Sequence, residues 1–269
     1  MELHLRGKKA LVMSSSRGLG AGIASELAAE GVDVLLTGRN VTQVQKLTDE
    51  INAADGGRAE YETADLAKPE AVEILAKAVE EKFGGADILI ANTGGPPPGR
   101  MVESDVSNLT THFDIMVARV AAITGRLTPY MQKKGWGRIV TIGSSGVIQP
   151  IPNLGISNLV RSALVGWSKS LSNDLAGQGI TVNMLVPGRI HTERIDELDE
   201  AAAKRSGKTI DEVRLASRST IPTGRYGTVN EFAAAATFLC SEPAGYITGS
   251  VVRCDGGMIK SVRSEERRV

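Results

Sequence analysis

Residues Met13–Gly20 read M-S-S-S-R-G-L-G and directly follow the apolar run Ala10–Val12. The apolar run is typical of a buried strand and the residues after it of a helix, so the segment is predicted to be a strand-to-helix turn. Gly18 and Gly20 lack a Cβ, which lets the backbone approach a phosphate group, and the helix N-terminus offers free N–H groups to it. This segment, here called the glycine loop, indicates a dinucleotide pyrophosphate site, with a tight turn that binds nothing as the alternative.

A second candidate anion site follows the next apolar run, where the sequence reads Thr37-Gly38-Arg39. Sites that prefer NAD usually carry Asp or Glu about 20 residues past the glycines, where the carboxylate binds the ribose 2′-hydroxyl. This chain has Arg39 there and Arg17 in the glycine loop. Two guanidinium groups suit a 2′-phosphate through charge-assisted hydrogen bonds, which predicts NADP(H) rather than NAD(H). The alternative is a pair of solvated arginines on the rim.

Short apolar strands alternate with longer helices along the chain, which predicts an α/β Rossmann fold with a doubly wound, seven-stranded parallel sheet and helices on both faces. Ligands of such a sheet bind beyond the carboxyl ends of its strands. The predicted strands lie near Ala10–Met13, Val32–Thr37, Ala59–Thr63, Ile88–Asn92, Arg138–Ile142, Thr181–Val186 and Ser250–Arg253. The predicted helices lie near Leu19–Ala29, Val41–Ala53, Pro69–Phe83, Val106–Lys133, Ser157–Ala176, Glu193–Ala216 and Val229–Leu239.

The composition bounds the class of protein. No linker divides the 269 residues, so we expect one domain over 1–269. The 31 Lys and Arg residues equal the 31 Asp and Glu residues in number, which provides no argument for a nucleic-acid partner. The chain has no apolar run long enough to span a membrane and no signal-peptide pattern, and Cys240 and Cys254 form no metal-binding motif. A cytoplasmic protein without a metal, a membrane or a nucleic acid is expected.

Taken together, the motifs resemble the classical short-chain dehydrogenase/reductases, in particular their 3-oxoacyl-carrier-protein reductase-like branch, from Gly7 to about Met258. The family's cofactor loop T-G-x-x-x-G-x-G appears here with Met13 and Ser14 in place of its Thr and first Gly. Further matches are Asp65 in A-D-L, Ala91-Asn92-Thr93-Gly94 for N-N-A-G, Pro187, Gly188 and Thr192 for P-G-x-x-x-T, and Asp255-Gly256-Gly257. The resemblance implies cofactor contacts from Ser14, Ser16, Arg17, Gly18, Leu19, Gly20, Arg39, Asp65, Leu66, Asn92, Gly94, Pro187, Gly188 and Thr192.

The expected catalytic residues match only in part. The family uses a Ser after the fifth strand, a Y-x-x-x-K on the next helix and an Asn on the helix before. Ser144 takes the Ser position, but Ser157 and Arg161 occupy the Tyr and Lys positions, and Met116 occupies the Asn position. The segment Tyr130–Lys134 also fits Y-x-x-x-K, but it precedes the Ser144 strand and is interpreted as the surface end of a helix.

These replacements change the chemistry that the site can perform. A serine hydroxyl is too weak an acid to replace the family's Tyr, and Arg161 stays protonated. Ser144 and Ser157 can still polarise a carbonyl, and Arg161 can hold ribose hydroxyls, so hydride transfer can persist slowly with water as the proton donor. His191 is an alternative proton donor, since histidine has a suitable ordinary pKa. The alternative interpretations are that His191 has no catalytic role and that Ser144 and Ser157 are polar residues that simply fit their turn and helix.

Two segments are relevant to substrate binding, and two helices are relevant to assembly. Thr93–Gly99, here called the proline loop, either walls the pocket or is a rigid connector. Residues 189–221 resemble the family's substrate lid, although most of their charges fit a solvated helix face. By resemblance, helices Val106–Lys133 and Ser157–Ala176 pair into homodimers that form homotetramers, and the charged end 264–269 extends past that core.

The sequence therefore predicts an NADP(H)-dependent oxidoreductase that interconverts a carbonyl and a secondary alcohol with a non-standard proton donor. Its partner is a small carbonyl or alcohol substrate. The competing hypothesis is a dinucleotide-binding sensor or scaffold with little or no turnover, which the set of Ser157, Arg161 and Met116 favours. An isomerase or lyase that uses the bound nucleotide is a third hypothesis.

Overall fold

A computed structural model of the chain describes residues 1–261. Seven parallel strands form one sheet in the order β3-β2-β1-β4-β5-β6-β7, which confirms the predicted doubly wound α/β fold. The charged end 264–269 lies outside the described residues. The strands are β1 (Lys9–Val12), β2 (Asp33–Gly38), β3 (Ala59–Thr63), β4 (Ile88–Ala91), β5 (Gly137–Ile142), β6 (Ile180–Pro187) and β7 (Val251–Cys254).

The helices agree with the predicted ones except in two places. The predicted helix over 193–216 is divided, because Gly207 ends its first half with a φ of +68°. The predicted helix over 106–133 contains a π-helical turn, Asp114–Ala118. The α-helices are α1 (Gly18–Ala29), α2 (Val41–Asn52), α3 (Ala71–Phe83), α4 (Val106–Phe113), α5 (Arg119–Lys134), α6 (Gly155–Leu175), α7 (Glu193–Ser206), α8 (Ile210–Ser219) and α9 (Val229–Cys240).

Both faces of the sheet are buried, each in its own apolar core. Leu11 of β1 packs into the core that includes α3, α5 and α6, whereas Ala10 and Val12 pack into the core that includes α1 and α9. Successive side chains of a strand point to opposite faces, so one short strand contributes to both cores. This explains why the strands read as continuous apolar runs rather than alternating ones.

The strand order reverses between β1 and β4, and the crevice for a ligand lies at their carboxyl ends. The glycine loop leaves β1 there, and the proline loop follows β4. The Asn92 Nδ2 donates a hydrogen bond to the Ser14 carbonyl oxygen at 3.1 Å, which joins the two loops. The fold therefore brings the two predicted ligand-binding segments side by side. Within residues 1–261, no helix combines the length and apolar character needed to cross a membrane.

Candidate active site

The glycine loop is held by hydrogen bonds that leave no room for larger residues. Ser14 has a φ of +49°, in the left-handed region, and its N–H donates to Thr37 Oγ1 at 2.9 Å. A Cβ placed on Gly20 would lie only 2.4 Å from the Ser14 carbonyl oxygen and 2.8 Å from Asn92 Nδ2. Close packing of α1 on the glycine loop therefore requires a glycine at position 20. Ser14, in contrast, occupies a conformation that a glycine adopts more easily.

Ser14→Gly is expected to raise the free energy of unfolding by about 0.5–1 kcal/mol. The left-handed conformation costs a non-glycine residue about 1–2 kcal/mol, and the greater freedom of glycine in the unfolded chain offsets part of this gain. Urea denaturation followed by circular dichroism measures the change. Ser16→Gly is the matched control, because Ser16 is not among the positive-φ residues, and we expect it to destabilise. A loss of stability in Ser14→Gly would contradict the expectation.

The N-terminus of α1 fits a pyrophosphate. The side chains of the N-cap residues Asn40, Asp105, Thr209 and Thr228 accept hydrogen bonds from the first turns of α2, α4, α8 and α9. Helix α1 has Arg17 at its N-cap and no side-chain cap, and its first turn contains no acidic residue. The first N–H groups of α1 therefore remain available to an anion at the crevice.

A cleft of about 300 Å³ lies at the ends of β2 and β3, where the adenosine part of a dinucleotide is expected. Arg39 and Asp65 both line it, as does Lys68, which the sequence analysis did not single out. Asp65 Oδ1 also accepts a hydrogen bond from the Ala67 N–H at 3.0 Å and shapes the loop. The fold thus brings together the two residues predicted to read the 2′-phosphate and the adenine.

Arg17 is placed differently from the sequence prediction. Its Nη1 bonds to Glu193 and lies 3.8 Å from Glu197 Oε1, both on α7 of the substrate lid. In this structure Arg17 links the glycine loop to the lid, while Arg39 lines the adenosine cleft. The Arg17 carboxylate partners are 176 and 180 residues away in the chain, so no local motif indicated them.

The predicted nicotinamide side of the site is also assembled. A Cβ on Gly188 would lie 2.6 Å from the Asp255 Cα, so only glycine fits between β6 and the D-G-G segment. Thr192 is the N-cap of α7, and its Cγ2 lies 3.9 Å from the Cβ position of Gly18. Pro187 ends β6, and Gly94 follows β4 with open space at its Cβ position. These residues surround the crevice from several elements.

The proline loop packs against the start of α6 and against the substrate lid. The Gly99 N–H donates to the Asn153 carbonyl oxygen at 2.8 Å, and the Gly155 N–H donates back to the Gly99 carbonyl oxygen at 3.0 Å. Arg194 Nη2 of the lid donates to the Pro96 carbonyl oxygen at 3.4 Å. These contacts favour the interpretation of the loop as a wall of the pocket.

Ser144 and Ser157 lie on adjoining elements, after β5 and in the first turn of α6. Ser144 Oγ accepts a hydrogen bond from the Gly146 N–H at 3.1 Å, which leaves its own proton free to be donated. Both serines are partly exposed. Across residues 1–261, no hydrogen bond links the two hydroxyls and no residue accepts the proton of Ser157. The two groups can donate to a carbonyl, but neither has an adjacent base.

Arg161 lies one turn after Ser157 on α6 and is only 9% exposed. Its Nη1 donates to the carbonyl oxygens of Ile142 at 2.8 Å and Gly143 at 3.3 Å, at the end of β5. Burial lowers the pKa of the guanidinium to about 10, so the group remains charged at neutral pH. The structure thus places a buried cation beside Ser144.

Met116 is fully buried and lies in the π-helical turn between α4 and α5. Its side chain belongs to the apolar core and has no group that can relay a proton. A π turn inserted in a helix often marks a functional site. Here the turn is present at the family's Asn position, but the side chain there packs in the core.

Neither His191 nor the Tyr130–Lys134 pattern is hydrogen-bonded to Ser144, Ser157 or Arg161 within residues 1–261. His191 is exposed, and its Nε2 lies 3.3 Å from Asp196 Oδ1 within the lid. Lys134 bonds to the buried Asp87 at 3.1 Å and lies over the Tyr130 ring. Asp87 directly precedes β4, at the amino edge of the sheet, so the rejected Tyr130–Lys134 pattern lies on the opposite edge from the crevice.

Two residues that shape the site were not indicated by any sequence motif. Asn158 clamps the loop before α6, with Oδ1 accepting from the Ile151 N–H at 3.2 Å and Nδ2 donating to the Ile151 carbonyl oxygen at 2.9 Å. Asp199 is buried inside the lid and accepts from Arg189 Nη1 at 2.7 Å and from the Tyr226 hydroxyl at 2.9 Å. Their partners lie in loops 7 to 27 residues away, and no motif connects them.

Comparisons with known proteins agree with this geometry. The family model described as enoyl-(acyl carrier protein) reductase matches residues 13–259. The chain is 32% identical to the 3-oxoacyl-[acyl-carrier-protein] reductase of Escherichia coli K12 over 95% of this chain and 99% of that protein.

Solved structures give the same result. The L-sorbose reductase of Gluconobacter frateurii, complexed with NADPH and L-sorbose, has a TM-score of 0.92 at 30% identity and covers 97% of this chain and 100% of its own. YwfH, an NADPH-dependent reductase involved in bacilysin biosynthesis, has a TM-score of 0.90 at 29% identity and covers 95% and 99%. The chain belongs to the short-chain dehydrogenase/reductase family.

Proposed function

We propose that this protein is an NADP(H)-dependent oxidoreductase that interconverts a carbonyl compound and a secondary alcohol, without a dedicated side-chain proton donor. The observation that carries the proposal is the cleft at the end of β2 and β3. There Arg39 replaces the acidic residue of NAD sites, and the uncapped N-terminus of α1 at the end of β1 suits the pyrophosphate. Two of the similar solved structures are described as NADPH-dependent or NADPH-bound reductases, which supports the cofactor assignment.

Each part of the cofactor has residues that suit it. The glycine loop residues Ser14, Ser16, Gly18, Leu19 and Gly20 surround the pyrophosphate, and Arg39 binds the 2′-phosphate. Asp65 and Leu66 border the adenine, while the nicotinamide side is bordered by Asn92, Gly94, Pro187, Gly188 and Thr192. When bound, NADPH supplies a hydride equivalent to the carbonyl carbon.

The remaining chemistry belongs to the side chains after β5 and on α6. Ser144 donates its free hydroxyl proton as a hydrogen bond to the carbonyl oxygen, and Ser157 is the second donor. Arg161 adds positive charge next to Ser144. Because neither serine is acidic enough and Arg161 stays protonated, the carbonyl oxygen takes its proton from water. Loss of a positioned donor slows such a step by about 10²–10⁴-fold.

The competing function is a cofactor-binding sensor or scaffold with little turnover. The burial of Met116 in the core and the lack of an acid at position 157 favour it. The two functions differ in one measurable quantity, which is steady-state turnover of NADPH with ketones, β-keto esters and acyl thioesters. Binding without turnover of any of these substrates would favour the sensor.

Ser144→Ala is expected to lower kcat by about 10²-fold, since it removes a hydrogen-bond donor to the developing oxyanion. NADPH affinity, measured by fluorescence titration, is expected to stay within about twofold, because the hydroxyl faces the substrate. Ser162→Ala is the matched control, as Ser162 lies exposed on α6 and bonds only within its helix. Turnover that is the same in Ser144→Ala and in the wild type would refute the proposed mechanism.

We further propose that the chain assembles as a homodimer or homotetramer through α4, α5 and α6. Apolar side chains that a monomer would leave in water support this: Val106 is 74% exposed, Phe113 40% and Leu159 38%. Light scattering in solution measures the mass, and a monomer at micromolar concentration would refute the assembly.

A further inference from the structure

The part of the chain that the structure describes contains three buried arginines, and two of them have an evident partner for their charge. Arg119 is paired with Asp114, with 2.5 Å between Nη2 and Oδ2. Arg138 lies 4.4 Å from the ring centre of Trp136 and donates to main-chain carbonyls from both Nε and Nη1. Arg161 has neither a carboxylate nor an aromatic ring among residues 1–261. Its charge is therefore the one that a bound group would have to balance.

The free side of the Arg161 guanidinium lies near the proline loop. Both of its hydrogen bonds run from Nη1 to the end of β5, so Nη2 and Nε have no hydrogen-bond partner in residues 1–261 and keep some contact with solvent. Nη2 lies 3.8 Å from the Cβ position of Gly95 in the proline loop, which walls the pocket. Gly143, one of the two acceptors, directly precedes Ser144. The unbalanced charge is thus next to the hydroxyl that polarises the carbonyl.

A cation taken out of water without a counter-charge is costly, and neutral hydroxyls do not repay that cost. The lowered pKa of Arg161 reflects this burial, although the group stays protonated at neutral pH. Ribose hydroxyls can accept its hydrogen bonds but leave the charge unbalanced. A carboxylate or phosphate accepts two parallel N–H groups of a guanidinium and neutralises it as well. The site therefore suits an anion.

The anion could come from the cofactor or from the substrate, and the strand order separates the two. The predicted phosphate sites lie beyond β1 and β2, at the glycine loop and Arg39, whereas Arg161 bonds to the end of β5. Strand β4 lies between those two regions. A phosphate held on the glycine loop or by Arg39 is thus separated from the end of β5 by β4, which favours the substrate as the source of the negative group.

We propose that Arg161 binds the carboxylate of a 2-oxo or 3-oxo acid, and so directs the carbonyl of that acid to Ser144. This substrate class rests on the proposed oxidoreductase function. Because Arg161 bonds to Gly143, the residue before Ser144, a substrate that reaches both groups carries its carboxylate close to its carbonyl, as 2-oxo and 3-oxo acids do. Neutral ketones and amides of the same size lack the group that balances the buried charge.

Binding to the complex with NADP⁺ tests this directly, because the oxidised cofactor cannot reduce an oxo acid. Calorimetry compares 2-oxobutyrate with 2-oxobutanamide, and 3-oxobutyrate with its amide. We expect at least one acid to bind about 10–100-fold more tightly than its amide, the range of a charge-assisted hydrogen bond. Arg161→Met should abolish this preference, and Arg161→Lys should keep part of it. Arg138→Met is the matched control and should keep the preference in full.

The outcomes separate this inference from the proposed function. Equal affinity for acid and amide in the wild type, or a preference that survives Arg161→Met, would overturn the inference. So would a loss of NADP⁺ affinity in Arg161→Met without any acid preference in the wild type, which would assign the charge to a cofactor phosphate. The same acids and amides are also titrated without nucleotide, so the acid preference is measured even if NADP⁺ does not bind. Absence of NADP⁺ binding or of turnover would refute the proposed oxidoreductase function and leave the acid preference as a separate result. If Arg161→Met does not fold, the inference is tested by the acid preference of the wild type and by its partial loss in Arg161→Lys.

Discussion

Ser157→Tyr is expected to raise the rate of carbonyl reduction by about 10²–10⁴-fold, the typical contribution of a positioned proton donor. Position 157 is in the first turn of α6, and Arg161 follows four residues later on the same face. The buried cation lowers the pKa of a phenol introduced there from its ordinary value of about 10, which makes the phenol a better acid. Steady-state oxidation of NADPH in the presence of a ketone measures the gain, in Ser157→Tyr and in Ser157→Tyr/Arg161→Lys.

The pH dependence distinguishes a proton donor from a change in packing. Reduction requires the protonated phenol, so the rate of Ser157→Tyr should be high below the pKa of the phenol and fall as the pH rises through it. The wild type lacks this titrating group and should show no such fall between pH 7 and 9.5. Ser157→Phe is the matched control, since it adds the same ring without the hydroxyl. An equal gain in Ser157→Phe, or no gain in Ser157→Tyr, would show that a missing donor does not limit the wild type.

Arg39→Glu is expected to change the preference for NADPH over NADH by about 10²-fold or more. The substitution removes a charge-assisted hydrogen bond to the 2′-phosphate and places a negative charge beside it, and each tenfold corresponds to about 1.4 kcal/mol. The carboxylate can in turn bind the 2′-hydroxyl of NADH. Dissociation constants of both nucleotides, measured by fluorescence titration, give the ratio directly. Equal weakening of both nucleotides would remove Arg39 from the phosphate site.

Arg17→Gln is the companion to that measurement. The sequence predicts that Arg17 and Arg39 bind the same phosphate, whereas the structure pairs Arg17 with Glu193 of the lid. We therefore expect Arg17→Gln to change the NADPH-to-NADH ratio much less than Arg39→Glu. A comparable change in both variants would mean that Arg17 leaves Glu193 when NADPH binds.

The fold was predictable because its signals are local. The central strands are short apolar runs buried on both faces, and they differ clearly in pattern from the amphipathic helices between them. The predicted strand over Ala59–Thr63 has the same bounds in the structure, and the other strands differ by one or two residues. The two errors in the helices, at Gly207 and at the π turn, occur where backbone geometry changes without a change in hydrophobic pattern.

The sequence predicted those site residues whose type is fixed by the space around the backbone. Gly20 and Gly188 had to be glycines because a Cβ would collide with the Ser14 carbonyl oxygen or the Asp255 backbone. Asn158 and Asp199 carried no such signal, because their contacts with Ile151 and with Tyr226 depend on the path of the loops that precede α6 and α9. The sequence also did not indicate the direction of a side chain: Arg17 lies in the glycine loop but bonds to Glu193 of the lid.

The sequence by itself determined the parallel sheet, the crevice at the carboxyl ends of its strands, and the replacement of the family's Tyr, Lys and Asn by Ser157, Arg161 and Met116. These properties follow from residue type and spacing, which can be read from the sequence alone. Only the tertiary structure decided that the Arg161 guanidinium is buried, bonded through one nitrogen and without a counter-charge. The physical reason is that burial and ion pairing depend on which segments meet in space, and no carboxylate among residues 1–261 pairs with Arg161.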